Sequence, residues 1–355
     1  MLPANDQCHL RLSTLALLAS TCQCAVLSPR TVQVPVGIKG QLWGPAGPCR
    51  QGILPSNMRD VVCPICNGRN STVLYRAKLP AKFDETVPPS PYSHHYQINR
   101  CVNCNLIYSS PIMDERGVSR LYQDSSETNV SAGEEDNVRR TMALYYRLAA
   151  PHLSGRERLL DIGCDMGFML EVAKRDGFKE LHGIEPVPAA RSIAAMVEGT
   201  TVTDKFFEQT DYPPDYFDLI TLVHVLDHLY DPRIVLRQAC KNLRPGGLVL
   251  AVVHNVRSLL GLLLGERFPI FNLYHHYFFN KDTLAELFRR QGYEVVKVVA
   301  TRNCYSLGFF ARRLPGMPSS FREAAFHGLR ALRVADIPLT IPVGNIGIVA
   351  RRPAR

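Results

Sequence analysis

The chain has 355 residues, of which 46% are hydrophobic and 21% charged, so it can bury a sizeable core in one large domain or in two smaller ones. Its formal net charge of +9 comes from scattered pairs of basic residues, and no basic run indicates a nucleic-acid-binding surface. The longest apolar stretches are far shorter than the ~20 residues of a membrane-spanning helix, so composition predicts a soluble protein without a membrane span.

Residues 1–57 differ in composition from the rest of the chain. They carry five charged residues and six prolines, and no helical or strand periodicity persists. The apolar run at residues 12–20 resembles the hydrophobic part of a secretion signal, although no convincing cleavage site follows it. We interpret residues 1–57 as a disordered or spurious extension, with Met58 as the natural start; a secretion signal is the alternative.

Two cysteine pairs with C-x2-C spacing follow this segment: Cys63 with Cys66, and Cys101 with Cys104. Each spacing lets one tight turn direct both sulfurs at a single ion, and two such turns complete the four-thiolate site typical of structural zinc. The sequence therefore predicts a zinc ribbon over residues 58–111. Four unrelated buried cysteines, or a redox pair, are the alternatives. Metal spacing favours a reducing compartment, so we expect a cytoplasmic protein.

Residues 112–157 are predicted to form a helical connector. Its apolar residues recur at helical spacing between positions 136 and 151, which indicates an amphipathic helix.

The next segment predicts a β-α-β unit. An apolar strand at residues 159–162 meets a turn with glycines, a helix at 168–175 follows, and a second strand at 181–184 ends at Glu185. In α/β proteins such a turn brings backbone close to a nucleoside ligand, and the acidic residue accepts hydrogen bonds from ribose hydroxyls. Dinucleotide-binding proteins share this outline, so the unit alone leaves the ligand open.

The remaining pattern completes an α/β domain over residues 158–355. Near-continuous apolar runs predict strands buried on both faces, as parallel strands are. The further strands are predicted near residue 202 and at 219–223, 248–253, 294–299 and 345–350, the last one antiparallel; the further helices are predicted at 189–197, 233–243 and 281–291. The sum is a seven-stranded, doubly wound, Rossmann-like sheet. A basic helical insertion is expected at 312–340.

Five blocks in this order resemble the class I S-adenosylmethionine-dependent methyltransferases, in their small-molecule branch. The blocks are LLDIGCDMGFML at 159–170, GIEP at 183–186, FDLITLVHVLDHLYDP at 217–232, LRPGG at 243–247 and YHHYFFN at 274–280. The resemblance implies S-adenosylmethionine as cofactor, bound by Asp161, Gly163, Cys164, Asp165, Gly167, Glu185, Asp227 and His228. Asp165 stands where the family pattern has glycine, which leaves the effect on affinity open.

The resemblance also implies an acceptor. A zinc module directly before such a domain is similar to methyltransferases that act on nucleotide-linked sugars and other glycan or secondary-metabolite precursors. A general base is needed only if the acceptor atom carries a proton, and His224 and His276 are the candidates. An RNA methyltransferase that clamps RNA with the ribbon, and a non-catalytic binding module, are the alternatives. The sequence does not indicate an oligomeric state.

Overall fold

The computed structural model describes residues 58–79, 94–114, 130–131, 133–313 and 317–354, so the extension predicted for residues 1–57 lies outside the described part. In chain order, the strands are β1 (Met58–Arg59), β2 (Ser71–Tyr75), β3 (Ile98–Cys101), β4 (Ile107–Ser109), β5 (Ile112–Met113), β6 (Arg158–Ile162), β7 (Glu180–Ile184), β8 (Thr200–Thr203), β9 (Phe217–Val223), β10 (Leu243–His254), β11 (Tyr277–Phe278), β12 (Glu294–Ala300), β13 (Asn303–Ser306), β14 (Pro338–Ile341) and β15 (Asn345–Arg351). The α-helices are α1 (Glu135–Ala149), α2 (Phe168–Arg175), α3 (Pro188–Ala194), α4 (Pro232–Asn242), α5 (Leu259–Leu264), α6 (Lys281–Arg290), α7 (Leu307–Arg312) and α8 (Ser319–Ala331).

The central sheet has seven strands in the order β12-β15-β10-β9-β6-β7-β8. Strands β6 to β10 pair in parallel, and β15 lies antiparallel between β10 and β12. The predicted seven-stranded α/β sheet, with its antiparallel last strand, is therefore confirmed. Strand β10 begins at Leu243 rather than at the predicted residue 248, because Leu243 already pairs with Phe217 ahead of an irregularity in the ladder.

Both faces of this sheet are covered, which explains the unbroken apolar runs of its strands. On one face, Leu159 and Leu219 lie in a core with residues of α1 and α2. On the other face, Leu160 and Ile220 lie in a core with residues of α4 and α6. Asp231 caps α4 and Asn280 caps α6 through side-chain oxygens that accept backbone N–H groups.

The cysteine-containing module shares hydrogen bonds and core with the large domain. Its four-stranded sheet has the order β11-β4-β3-β2, so a strand from beyond residue 270 completes it. Cys63 and Tyr96 lie in the same core cluster as Leu160. The stretch predicted as a helical connector begins with β5, which pairs with β1. The predicted boundary at residue 111 therefore separates two segments of sequence that pack as one body.

The insertion before the last strand combines helices with a small sheet. Within the described part of residues 301–344, β13 precedes α7 and β14 follows α8, and the two strands pair antiparallel. The sequence predicted the helices and missed β14. The guanidinium of Arg312 lies 3.5 Å from the ring centre of Phe326, so part of the predicted basic surface packs within the insertion.

Helix α5 stands out because its leucines face solvent. The exposed fractions of Leu259, Leu262 and Leu263 are 75%, 69% and 74%. Across the described residues, every helix is too short or too polar to cross a membrane.

Candidate functional site

The turn between β6 and α2 has the backbone shape that the sequence predicts. Gly163, Asp165 and Gly167 all have positive φ, at 71°, 44° and 83°. A β-carbon on Gly167 would meet the Cα atom of Ala194 at 3.0 Å, so glycine is needed there for closeness as well as for φ. The N–H groups of Gly163 and Cys164 both donate to the carbonyl of Ile184, which holds the turn against β7.

Two carboxylates flank this turn. Asp161, at the end of β6, is buried and accepts a hydrogen bond from the hydroxyl of Thr221 on β9. Glu185 follows β7 and accepts from the backbone N–H of Asp165 at 2.9 Å and of Val187 at 2.8 Å. These contacts fix the Glu185 carboxylate at the carboxyl edge of the sheet, beside the point where the strand order reverses between β6 and β9. Ligands of doubly wound sheets bind at such a point.

The carboxylates of this turn are hard to ionise together. Burial raises the pKa of Asp161 and that of Asp165 to about 7, and nearby carboxylates add to both shifts. Burial also raises the pKa of Glu185. The turn is therefore electrostatically suited to a ligand that brings positive charge. Asp165 adopts the left-handed conformation that the family pattern gives to glycine, so the turn keeps its shape despite the substitution.

A second polar cluster surrounds Asp227 at the same edge of the sheet. Asp227 and His228 lie in the loop after β9, His254 ends β10, and His275 precedes β11. Asp227 accepts a hydrogen bond from Nδ1 of His254 at 3.0 Å, and Nε2 atoms of His228 and His275 each lie 3.9 Å from one of its oxygens. Burial by itself would raise the pKa of Asp227, but His254 and the other imidazoles lower it well below its ordinary value.

The predicted base His224 lies against this cluster. It follows the last residue of β9 with a φ of 54°, and its ring centre is 4.6 Å from that of His254. Its Nε2 atom lies 3.4 Å from the side-chain amide of Asn345. Burial, with a smaller contribution from His254, lowers the pKa of His224 to about 3, so its imidazole is neutral near pH 7.

The other predicted base, His276, lies at the joint with the cysteine module. Its backbone N–H donates to the carbonyl of Asp227, and its own carbonyl accepts from Ser109 on β4. Its ring is buried 6.1 Å from that of Tyr96, and burial lowers its pKa to about 4. This position favours a packing role. His254 was missed, although its place directly after the strand predicted at residues 248–253 puts it on the same sheet edge as His224.

The four predicted cysteine ligands converge. The Sγ atoms of Cys63 and Cys104 are 3.4 Å apart, those of Cys66 and Cys101 are also 3.4 Å apart, and all four lie within 4.8 Å of one another. None of the described cysteines forms a disulfide. Asn67 and Asn105, one after each pair, have φ of 57° and 60°, as the tight turns require.

Comparisons with known proteins bear on this site. Residues 135–298 match a family model described as "Methyltransferase domain". The ubiquinone biosynthesis O-methyltransferase of Shewanella sp. (strain ANA-3) is 26% identical over 147 residues, which cover 37% of this chain and 61% of that protein. The protein of the same description from Aeromonas salmonicida (strain A449) is 31% identical over 121 residues, covering 32% of this chain and 50% of its own length. The chain thus spans less than two thirds of these curated relatives.

Among solved structures, an S-adenosylmethionine-dependent methyltransferase from Archaeoglobus fulgidus aligns with a TM-score of 0.43 at 20% identity, covering 61% of this chain and 97% of the other.

Proposed function

Since residues 135–298 form a class I S-adenosylmethionine-dependent methyltransferase domain, we propose that this chain transfers a methyl group from S-adenosylmethionine to a small-molecule acceptor. The observation that carries the proposal is the turn after β6, where two glycines and Asp165 adopt positive φ beside the fixed carboxylate of Glu185. The turn would let the backbone come close to the cofactor, and the carboxylate would accept hydrogen bonds from its ribose hydroxyls, at the topological switch point of the sheet.

The residues of the turn fit this cofactor, which supplies an activated methyl group on a positively charged sulfur. We assign the ribose hydroxyls to Glu185, whose side chain is already held by two backbone N–H groups. Asp161, Cys164 and Asp165 line the methionine side, where the raised pKa values of the two aspartates favour a cationic ligand. Asp227 and His228 shape the neighbouring wall.

A base is required if the acceptor atom is a hydroxyl oxygen. We place this role on His224 rather than on His276. His224 stands at the carboxyl end of β9, next to the cofactor turn, and its imidazole is neutral near pH 7. The side chain of His276 is instead enclosed at the joint with the cysteine module.

For the acceptor, we propose a nucleotide-linked sugar or another glycan or secondary-metabolite precursor. The support is the order of the parts, a cysteine module directly before the methyltransferase domain. A phenolic acceptor with an apolar tail is a second candidate. The curated relatives act in ubiquinone biosynthesis by their names, and the exposed leucines of α5, a helix that begins five residues after His254, offer an apolar surface.

RNA is a weaker candidate. Two basic residues of the cysteine module are engaged within the chain: the guanidinium of Arg59 lies 3.3 Å from the ring centre of Tyr230, and Lys78 pairs with Glu266 at 2.7 Å. Proteins that clamp RNA usually present a continuous basic stripe with stacking aromatic residues.

We further propose that the four cysteines bind one structural zinc ion. The spacing of their sulfur atoms fits a tetrahedral site with Zn–S distances of ~2.3 Å, in which sulfurs lie about 3.8 Å apart. Such a closed four-thiolate site holds a fold together and leaves no position for a substrate.

Calorimetric titration of the zinc-loaded chain with S-adenosylhomocysteine tests the cofactor proposal. We expect one site. Glu185→Gln should weaken binding by about 10–100-fold, because hydrogen bonds to a charged group contribute roughly 1.5–3 kcal/mol. Glu198→Gln is the matched control, since Glu198 is an exposed carboxylate paired with Lys174. Absence of binding by the intact chain would leave the non-catalytic binding module as the better interpretation.

A transfer assay with isotopically labelled cofactor identifies the acceptor class. Sugar nucleotides, hydroxylated benzoquinol precursors with and without prenyl tails, and total RNA are offered separately. Label on the sugar nucleotides supports the first proposal and label on the phenols the second. Steeply salt-dependent RNA binding together with labelled RNA would overturn both.

A further inference from the structure

The histidines around Asp227 leave buried polar atoms without hydrogen-bond partners. Within the described ranges, this is true of Oδ1 of Asp227 and of Nε2 of His275. Buried polar groups are almost always paired, so two such atoms in one cluster need an explanation.

The tautomer of His275 follows from its neighbour Asn272. The side-chain oxygen of Asn272 accepts from the backbone N–H groups of Tyr274 and His275, while its amide nitrogen donates to the carbonyl of Pro269. This oxygen lies 3.0 Å from Nδ1 of His275, so Nδ1 carries the proton and donates. The other nitrogen, Nε2, therefore presents a lone pair.

That lone pair faces another acceptor. Nε2 of His275 lies 3.9 Å from Oδ2 of Asp227, and Nε2 of His228 lies 3.9 Å from Oδ1. These separations are too long for hydrogen bonds. They suit atoms that share an ion, because nitrogen and oxygen ligands lie ~2.0–2.2 Å from zinc and hence on the order of 3–4 Å from one another. One ligand atom from each of Asp227, His228 and His275 fits within a span of 4.8 Å.

The surroundings also resemble those of a built metal site. His254 donates through Nδ1 to Oδ2 of Asp227 at 3.0 Å, as outer residues commonly orient a ligating carboxylate. The side chains of Asp227 and His275 are 2% and 10% exposed, whereas those of His228 and His254 are 21% and 29% exposed. Two members of the cluster are thus buried, and two are partly open to solvent.

We propose that Asp227, His228 and His275 bind a divalent first-row transition-metal ion, distinct from the zinc of the four cysteines. Two imidazoles and one carboxylate suit Zn²⁺ or Fe²⁺ better than Mg²⁺ or Ca²⁺, which prefer oxygen ligands. Three protein ligands leave a position open, as in catalytic rather than structural sites.

The role of the ion rests on the proposed function. Asp227, His228 and His275 lie at the edge of the sheet that also carries the cofactor turn and His224, so an ion held by them would be near both. A hydroxyl of the acceptor held there would be oriented by the ion and made more acidic. Acceptors with two adjacent hydroxyls would then be favoured, since both oxygens can reach one ion.

Titration of the full-length, zinc-loaded chain with Co²⁺ tests the site, with visible absorption as the readout. We expect one equivalent to bind with the weak bands of nitrogen and oxygen ligation and without the intense thiolate charge-transfer bands of a cysteine site. His275→Gln and His228→Gln should each weaken this binding at least tenfold. His327→Gln should leave it unchanged, because His327 is an exposed histidine on α8.

The wild-type titration decides the matter even if a variant fails to fold. Failure of the zinc-loaded chain to bind one equivalent of Co²⁺, an equivalent with thiolate bands, or binding unchanged in both variants would each overturn the proposal. Titration of the same samples with S-adenosylhomocysteine keeps the two proposals apart: cofactor binding without Co²⁺ binding removes only the metal site, and the reverse result removes only the methyltransferase function.

Discussion

The four cysteines and the histidines around Asp227 are assembled in opposite ways. Each cysteine pair lies within a single turn, where Cys63 and Cys101 accept backbone hydrogen bonds from Asn67 and Asn105. The Asp227 cluster draws on the loop after β9, the end of β10 and the segment before β11. A ligand set made by local turns can be inferred from spacing alone. One made by sheet topology becomes visible only when the strands are placed side by side.

The largest effect is expected when the four-cysteine site is disrupted. Cys101→Ser removes one of the four thiolate ligands, the one at the end of β3. Structural zinc contributes about 10–16 kcal/mol of binding energy to the folding of small modules. We expect metal analysis to fall from about one tightly held zinc per chain to nearly none. Because β4 pairs with β11 of the large domain, thermal unfolding of the whole chain should also shift downward.

Cys240→Ser is the matched control for this experiment, since Cys240 is a reduced cysteine on α4, outside the cluster. It should retain zinc and unfold close to the wild-type temperature. A Cys101→Ser protein that keeps its zinc and its melting temperature would contradict the proposed four-thiolate site.

The second prediction concerns the cluster around Asp227 and tests His254, which is not one of the proposed metal ligands. His254→Ala removes the donor that orients the carboxylate of Asp227. Loss of such an outer contact typically weakens metal binding 10–100-fold. The change should appear in the Co²⁺ titration, while zinc at the cysteines stays in place. His327→Ala, on an exposed histidine of α8 outside the cluster, provides the control. Equal Co²⁺ affinity in His254→Ala and wild type would show that Asp227 is held without His254.

The same contrast explains what could be predicted from the sequence. The inner strands β6, β9, β10 and β15 follow from apolar runs and the turn residues between them, because burial on both faces leaves a clear pattern. Glu185 and the turn glycines follow because they are close to one strand end. His254 escaped prediction because its partner Asp227 lies 27 positions earlier, and only the parallel pairing of β9 with β10 brings them together. Strand β11 was missed because two residues that pair with a distant module have no local signature.

The third prediction separates crowding from backbone conformation in the cofactor turn. Gly167→Ala places a β-carbon 3.0 Å from the Cα atom of Ala194 at a φ of 83°, and we expect it to lower the free energy of unfolding by about 1–3 kcal/mol. Gly177→Ala is the matched variant: its φ is 92°, but a β-carbon there meets nothing within 4 Å. It should cost about 1 kcal/mol, from conformation alone. Urea unfolding of both variants measures the difference, and equal losses would contradict the close approach of the turn to α3.

The smallest effect concerns Asp165, where the chain departs from the family pattern. In the free protein its pKa is raised to about 7, first by burial and then by Glu185. The folded state therefore binds a proton that the unfolded state has released, so this group makes the protein less stable as pH rises toward and through 7. Between pH 6.5 and 8.0 a single carboxyl with such a pKa removes about 0.8 kcal/mol of stability.

Asp165→Asn keeps a side chain that tolerates positive φ and abolishes the proton uptake, so its urea unfolding free energy should decline by that much less over the same interval. Glu198→Gln, on the surface, should follow the wild-type pH dependence. Parallel pH profiles for wild type and Asp165→Asn would mean that Asp165 is ionised throughout this interval and that burial does not raise its pKa into it.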